Sequence, residues 1–154
     1  MIIILEGPDG SGKSTLAEKI HQQTGYQLLH REQPKTDEDK QRMMAEYVQV
    51  IKSGKNCIFD RCWYSEMVYG PIMRDASVIT YPQMYELERL LAKSGALIIH
   101  CTAPESTLWK RCLRRGEDYI KHRETFHNIC TGFDELLHNV PHLIPVLTYE
   151  YEDL

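Results

Sequence analysis

The chain has 154 residues, 42% of them hydrophobic and 26% charged, with a net charge of −4 and a pI near 6.0. That is one domain's worth of polypeptide with an ordinary globular balance, which excludes a disordered or collagen-like chain, and no apolar run approaches the roughly 20 residues a membrane-spanning helix needs. A general polyanion binder would be basic, so a phosphate-rich ligand must meet a local cationic cluster here.

Residues 2–5 form a continuous aliphatic run, as expected of a parallel strand buried on both faces. Residues 14 to about 23 read as a helix, with Leu16, Ala17 and Ile20 on one side and Gly25 as its stop. A second strand covers 26–29. From 38 to about 53, Met43, Met44, Tyr47, Val48 and Ile51 recur at helical spacing and Gly54 closes the run. These side chains are read as core rather than as a methionine-rich binding face. A third strand, 57–59, ends in Asp60. Residues 83 to about 93 form a helix closed by Ser94-Gly95, and 96–101 a fourth strand. Pro104 suits the first turn of a helix over 105–114. Another helix runs from about 121 to 138. The last strand, 143–147, contains Pro145, which marks it as an edge.

Strands alternating with helices predict a single α/β domain, a five-stranded parallel sheet with helices on both faces. The five cysteines are odd in number and form no CxxC pair, so free thiols in a reducing cytoplasm are expected. The opening MIIILEG carries no basic leader, so no signal peptide is expected. Cys57 and Cys101 sit in apolar runs and read as core. The seven histidines are scattered; Pro141 interrupts the i,i+4 pair His138 and His142, and no metal site is read from them.

The decisive feature is Gly7-Pro8-Asp9-Gly10-Ser11-Gly12-Lys13-Ser14, which fits GxxxxGK(S/T) between a predicted strand and a predicted helix. Glycines let successive amides curl inward toward phosphate oxygens, and the helix N-terminus adds positive potential. Lys13 places an ammonium near the β- and γ-phosphates, and the Ser14 hydroxyl is a Mg²⁺ ligand candidate. This is the loop of a P-loop NTPase fold, and Gly10, Ser11, Gly12, Lys13, Ser14 and Thr15 are its phosphate-binding candidates. Asp60, at the third strand's end, is placed to hold Mg²⁺ through water or to accept a proton. Arg61 beside it suits a bidentate clamp on an acceptor phosphate. Lys110, Arg111, Arg114 and Arg115 cluster near a helix end, and Arg111, Arg114 and Arg115 share one face at i, i+3 and i+4. With Gly116-Glu117-Asp118 after them, they predict a short arginine-bearing lid over about 111–121 that stabilises transferred charge and excludes water.

In these residues the chain resembles the thymidylate kinase-like branch of the P-loop nucleoside monophosphate kinases. Ile4 through Thr15 looks like that family's (F/I)EGxDGxGKST opening, and His30-Arg31-Glu32-Gln33-Pro34 its TREP segment. Asp60-Arg61-Cys62-Trp63-Tyr64-Ser65 is similar to its DRYxxS motif. Val68-Tyr69-Gly70 falls where it has an AYQG-like stretch, and Thr102-Ala103-Pro104-Glu105 resembles its strand-four exit. The correspondence spans roughly residues 2–136, and the family suggests strand order 2-3-1-4-5.

The resemblance implies ATP- and Mg²⁺-dependent phosphorylation of a (deoxy)nucleoside 5′-monophosphate. Asp9 matches a loop aspartate near the acceptor sugar, Arg31 falls within the TREP-like segment of the acceptor side, and Asp60 and Arg61 match the pair near the acceptor phosphate. Arg111, Arg114 and Arg115 match the lid. The stretch from Glu32 to Asp60 is shorter than in thymidylate kinases and lacks their base-reading helix, which leaves the base open. Tyr69 is a candidate to stack on it or to pack, Arg74 to reach its edge, and Tyr47 and Met44 to wall the pocket. Alternatives are a deoxynucleoside kinase, although such enzymes usually carry Glu-Arg where this chain has Asp60-Arg61, and a nucleotide-binding regulator with little turnover. Small-molecule nucleotides are the expected partners, with neither polynucleotide nor membrane; a homodimer stays open.

Overall fold

The computed structural model describes residues 1–30, 33–116 and 122–151. In chain order they form β1 (Ile2–Glu6), α1 (Lys13–Thr24), β2 (Gln27–His30), α2 (Asp37–Lys52), β3 (Cys57–Asp60) and α3 (Trp63–Arg74). Then come α4 (Tyr81–Ser94), β4 (Ala96–Thr102), α5 (Glu105–Arg115), α6 (Arg123–Asp134), a π-helical turn (Glu135–Asn139) and β5 (Val146–Glu150). The sheet is parallel throughout, in the order β2-β3-β1-β4-β5. Its doubly wound order puts the β1 and β3 C-termini side by side, with Leu5 paired to Asp60. Ligands of open α/β sheets sit at that edge.

Alternation along β1 divides the core. Ile2 and Ile4 face the larger layer with Phe59, Trp63, Tyr47, Leu87 and Phe133. Leu5 turns to the opposite face with Ile58, Ala17 and Cys101, where α1 packs. Fully burying one such aliphatic side chain is worth roughly 1.5–3 kcal/mol, so register in β1 is strongly fixed. All five cysteines are free and buried. No helix among the described residues is long and apolar enough to cross a membrane.

Two elements depart by more than two residues from the sequence reading. β5 begins after Pro145 rather than around it, since proline cannot donate to the ladder, although Pro145's carbonyl still accepts from the Ile98 amide at 2.9 Å. The helix expected to reach residue 138 ends at Asp134 and continues as the π-helical turn, which presents Leu136 and Leu137 to the core. The sequence reading also lacks α3, whose interior Pro71 argues against a helix. Packing overrides that cost: Trp63, Tyr64, Ser65 and Glu66 are buried all round the first turn, and Val68 after them.

Candidate functional site

β1 delivers the chain into the phosphate loop through Gly7. A Cβ there would lie 2.0 Å from the Cys101 carbonyl oxygen, so only glycine passes under β4. The loop ends at Gly12, the N-cap of α1, in the left-handed region. α2 and α4 begin with reciprocal capping boxes, Thr36 with Asp39 and Thr80 with Gln83. α1 has no side-chain cap and no acid in its first turn. An uncapped helix N-terminus at a glycine-rich turn is an anion site in waiting. The Ser11 hydroxyl is buried with no hydrogen-bond partner among the described residues, as a phosphate-binding loop requires of a donor reserved for its ligand.

Lys13 is 7% exposed, and its ammonium contacts the Asp60 carboxylate. The Ser14 hydroxyl donates to the other Asp60 oxygen at 3.0 Å, and His30 Nδ1 lies 3.3 Å from it. Burial works against ionising Asp60, but Lys13, Ser14 and His30 together hold its carboxyl below the usual range. Burial and then the nearby Arg61 charge pull the Lys13 ammonium below its ordinary pKa despite Asp60. Lys13 is therefore a buried cation short of compensating charge, where a polyphosphate tail would fit. Ser14 and the ionised Asp60 offer adjacent hard oxygen ligands, so the residues present fit Mg²⁺ as well.

Arg61 follows β3 in the left-handed region, φ 71°, an uncommon conformation for a non-glycine residue. Its amide donates to the Leu5 carbonyl at 3.1 Å. The turn sends the side chain back across the sheet edge. There Nη2 donates to Asp9 Oδ1 and Nη1 to Ser65 Oγ, both at 2.9 Å. Burial opposes the charge, but Tyr69, Asp9, Glu6 and Asp60 keep the guanidinium firmly cationic. The other Asp9 oxygen is buried without a partner among the described residues.

Arg61 also lines a cavity of about 260 Å³ with Pro34, Met43, Tyr47, Tyr69 and Arg74, near the lower end of the roughly 300–1,000 Å³ common for small-molecule pockets. Arg74 donates through Nη1 to the Pro34 carbonyl at 3.3 Å and contacts Glu66 through Nη2. Glu66 is itself anchored by the Val78 amide at 2.9 Å. Arg74 Nε is buried with no partner among the described residues. Tyr69 packs its ring against the Arg61 guanidinium, 5.2 Å from centroid to carbon, which favours the packing alternative over a free stacking platform. Tyr47 walls the pocket as expected, but its partner is Met43, one turn before it, rather than Met44.

The three lid arginines separate. Arg114 and Arg115 are exposed, and Arg115 lines the loop cavity with residues 8–15. Arg111 is 8% exposed and donates to the Gly10 and Tyr151 carbonyls, so it braces the loop from behind and does not share a solvent face with the other two. A shared helical face predicts neighbours, not exposure. Arg31 and residues 117–121 of the expected lid lie outside the described residues.

Glu6 is a site residue that the sequence reading did not single out. It is fully buried and accepts from the Cys62 amide at 2.7 Å, the Ser65 amide at 3.2 Å and the Ser65 hydroxyl. It thus caps α3 from β1, which aligns Ser65 under Arg61. Burial raises its pKa, against the pull of Arg61. The available signal was one acid closing an otherwise aliphatic strand.

Comparison with known proteins agrees with the fold. The profile of the polyphosphate kinase 2 (PPK2) family matches residues 1–124. The SPbeta prophage-derived protein YorR of Bacillus subtilis (strain 168) is 30% identical over 123 residues, which are 80% of this chain and 74% of that one. A crystal structure of Bacillus subtilis YorR in complex with phosphorylated GDP is similar with a TM-score of 0.82 and 25% identity, over 97% of this chain and 85% of that chain. Deoxyadenosine kinase from M. mycoides, with dCMP and dCDP bound, shares the fold at a TM-score of 0.65 and 17% identity, over 97% of this chain and 90% of that one.

Proposed function

The chain belongs to the polyphosphate kinase 2 family, and from this P-loop kinase membership we propose that it transfers the γ-phosphoryl group of ATP to a (deoxy)nucleoside 5′-monophosphate, the reaction type of the thymidylate kinase-like enzymes its motifs resemble. The observation that carries this reading is the Asp9–Arg61 contact at 2.9 Å. It joins the phosphate loop to the cation-walled cavity, so donor and acceptor phosphates would meet across one ion pair.

In this reading Lys13 leaves Asp60 for the donor phosphates, and Arg61 holds the acceptor phosphate. The acceptor already presents an anionic oxygen, so positioning and charge neutralisation suffice and no general base is needed. Arg115, which lines the loop cavity, would meet charge on the transferred group, with Arg114 next to it in sequence as the second candidate. Mg²⁺, held by Ser14 and Asp60, would neutralise donor oxygens. With both Nη groups engaged, Arg74 Nε is a single donor unpartnered among the described residues, which suits one acceptor on a base edge. YorR was crystallised with phosphorylated GDP, so guanine nucleotides head the acceptor list. Asp60 is held ionised by three neighbours, a weak base for a hydroxyl acceptor, which disfavours the nucleoside kinase alternative. The whole chain is proposed to act as one kinase domain.

The test is a panel of ribo- and deoxyribonucleoside monophosphates, and the parent nucleosides, with ATP-Mg²⁺ and with inorganic polyphosphate as donors. ADP release or nucleoside diphosphate formation with one monophosphate group is expected. Turnover of nucleosides alone replaces this reading with the nucleoside kinase. Turnover with polyphosphate alone moves the donor from ATP to that polymer. Nucleotide affinity with no turnover on any acceptor favours a regulator.

A further inference from the structure

A loop that turns its amides inward to bind phosphate turns carbonyls outward, and buried carbonyls need donors. Arg111 supplies one to the Gly10 carbonyl at 2.9 Å, across 101 positions of sequence. Its second arm donates to the Tyr151 carbonyl, also at 2.9 Å, and its guanidinium carbon lies 4.9 Å from the centre of the Tyr151 ring. The same ring closes over Gly12, where a Cβ would stand 2.6 Å from Tyr151 Cγ. Beside Arg111, Cys112 Sγ lies 3.3 Å from the Asp9 carbonyl oxygen. The outer side of residues 9–12 is thus backed by one turn of α5 and by the residue that follows β5.

We propose that Arg111 and Tyr151 form a latch that fixes the phosphate loop from outside, as positioning residues for the donor. The loop contains Gly7, Gly10 and Gly12, all at positive φ, and glycines cost the most entropy to order. A loop already held in its binding form spares that cost when the ligand arrives. The chemistry of the two residues suits the task. A planar guanidinium reaches two carbonyls at once, which an ammonium point charge cannot do in the same geometry. The tyrosine ring fills the space that glycine leaves at Gly12, so the start of α1 cannot drift outward. α5 carries Arg111 and, one turn later, Arg115, so loop and lid arginine are held by one helix.

This role rests on the phosphate-loop reading of the site. Amide hydrogen exchange in the full chain tests the latch without any ligand: in Tyr151→Ala, residues 7–14 are expected to exchange at least about tenfold faster. Tyr151→Phe restores the wild-type rate, because the ring and the carbonyl make the contacts. Unchanged exchange in Tyr151→Ala overturns the latch. Calorimetry with ADP-Mg²⁺ then tests positioning. Tyr151→Ala and Arg111→Lys are each expected to weaken affinity about tenfold, with the acceptor KM unmoved and Tyr151→Phe rescuing. A loosened loop that binds ADP as the wild type does overturns the positioning role. Wild-type protein that binds no adenine nucleotide, while Tyr151→Ala still speeds exchange, sinks the donor reading and leaves the latch standing.

Discussion

The two halves of the site are built differently. The proposed donor side is one stretch of chain, residues 7–15, whose shape is set by glycines and by contacts from behind. Its side chains are few, and Lys13 is the buried charge among them. The proposed acceptor side gathers Pro34, Met43, Tyr47, Arg61, Tyr69 and Arg74 from α2, α3 and the turns beside them. Its polarity comes from side chains already engaged with one another, Arg61 with Asp9 and Arg74 with Glu66. A backbone site grips any chain of phosphates. A side-chain site is tuned residue by residue, so donor chemistry should be robust and acceptor choice should yield to single substitutions.

The sharpest break of that contrast is Lys13→Ala. It removes the one buried cation of the donor side, and turnover is expected to fall by about 10³-fold or more, with circular dichroism unchanged. Near-full turnover refutes the site. Arg61→Gly comes next. Glycine accepts the φ of 71° at no steric cost, so the turn survives while the guanidinium is lost. The acceptor KM is expected to rise about 30- to 100-fold, the worth of a charge-assisted contact or two. ADP affinity stays as it was. A matching loss of ADP affinity means that the halves are not separable. Arg74→Lys is milder: it keeps a cation beside Glu66 but loses the planar fork. The kcat/KM ratio between the best and second-best bases is expected to shrink about tenfold, and an unchanged ratio removes Arg74 from base recognition.

The same contrast explains what the sequence told. The first strand and the phosphate-loop motif follow from contiguous patterns, an aliphatic run and then GxxxxGKS, whereas the strand order 2-3-1-4-5 came only from the family resemblance, and it matches the sheet. Arg61 was legible because it touches a strand end. Met43 and Met44 were not separable, since both sit on the inward arc of α2 and only the docking angle of that helix decides which meets the cavity. Arg111 was misplaced because helical periodicity reports which residues are neighbours on α5, not what packs against them. The partner it meets, Tyr151, lies at the far end of the sheet in sequence. Glu6 caps a helix 56 residues away, a pairing that no local rule anticipates.

The smallest expected effect on activity comes from two histidines outside the phosphate loop, and it bears on stability. His142 places Nδ1 2.7 Å from Glu88 Oε2 and Nε2 2.7 Å from the Leu136 carbonyl. Both neighbours present acceptor oxygens, so the geometry favours a ring that donates from both nitrogens. Burial lowers its pKa, but the bonds to Glu88 and Leu136 outweigh that and raise it. A raised folded-state pKa stabilises fully below the unfolded value near 6.5 and fades as pH climbs through the folded one. His100 behaves oppositely. Burial on β4, then the charge of His138, takes it down to about 4, so its contribution is whole above 6.5 and is lost between 6.5 and about 4. That shift corresponds to about 3 kcal/mol, or roughly 6–12 °C in Tm for a chain of this size. Denaturant titrations across pH should therefore fall on both sides of neutrality. His142→Gln, whose amide can still donate to Glu88, is expected to flatten the alkaline limb alone, and His100→Gln the acid limb alone, with ATP turnover at pH 7 within about twofold of wild type in both. A variant that flattens the opposite limb reverses the charge assignment of its ring.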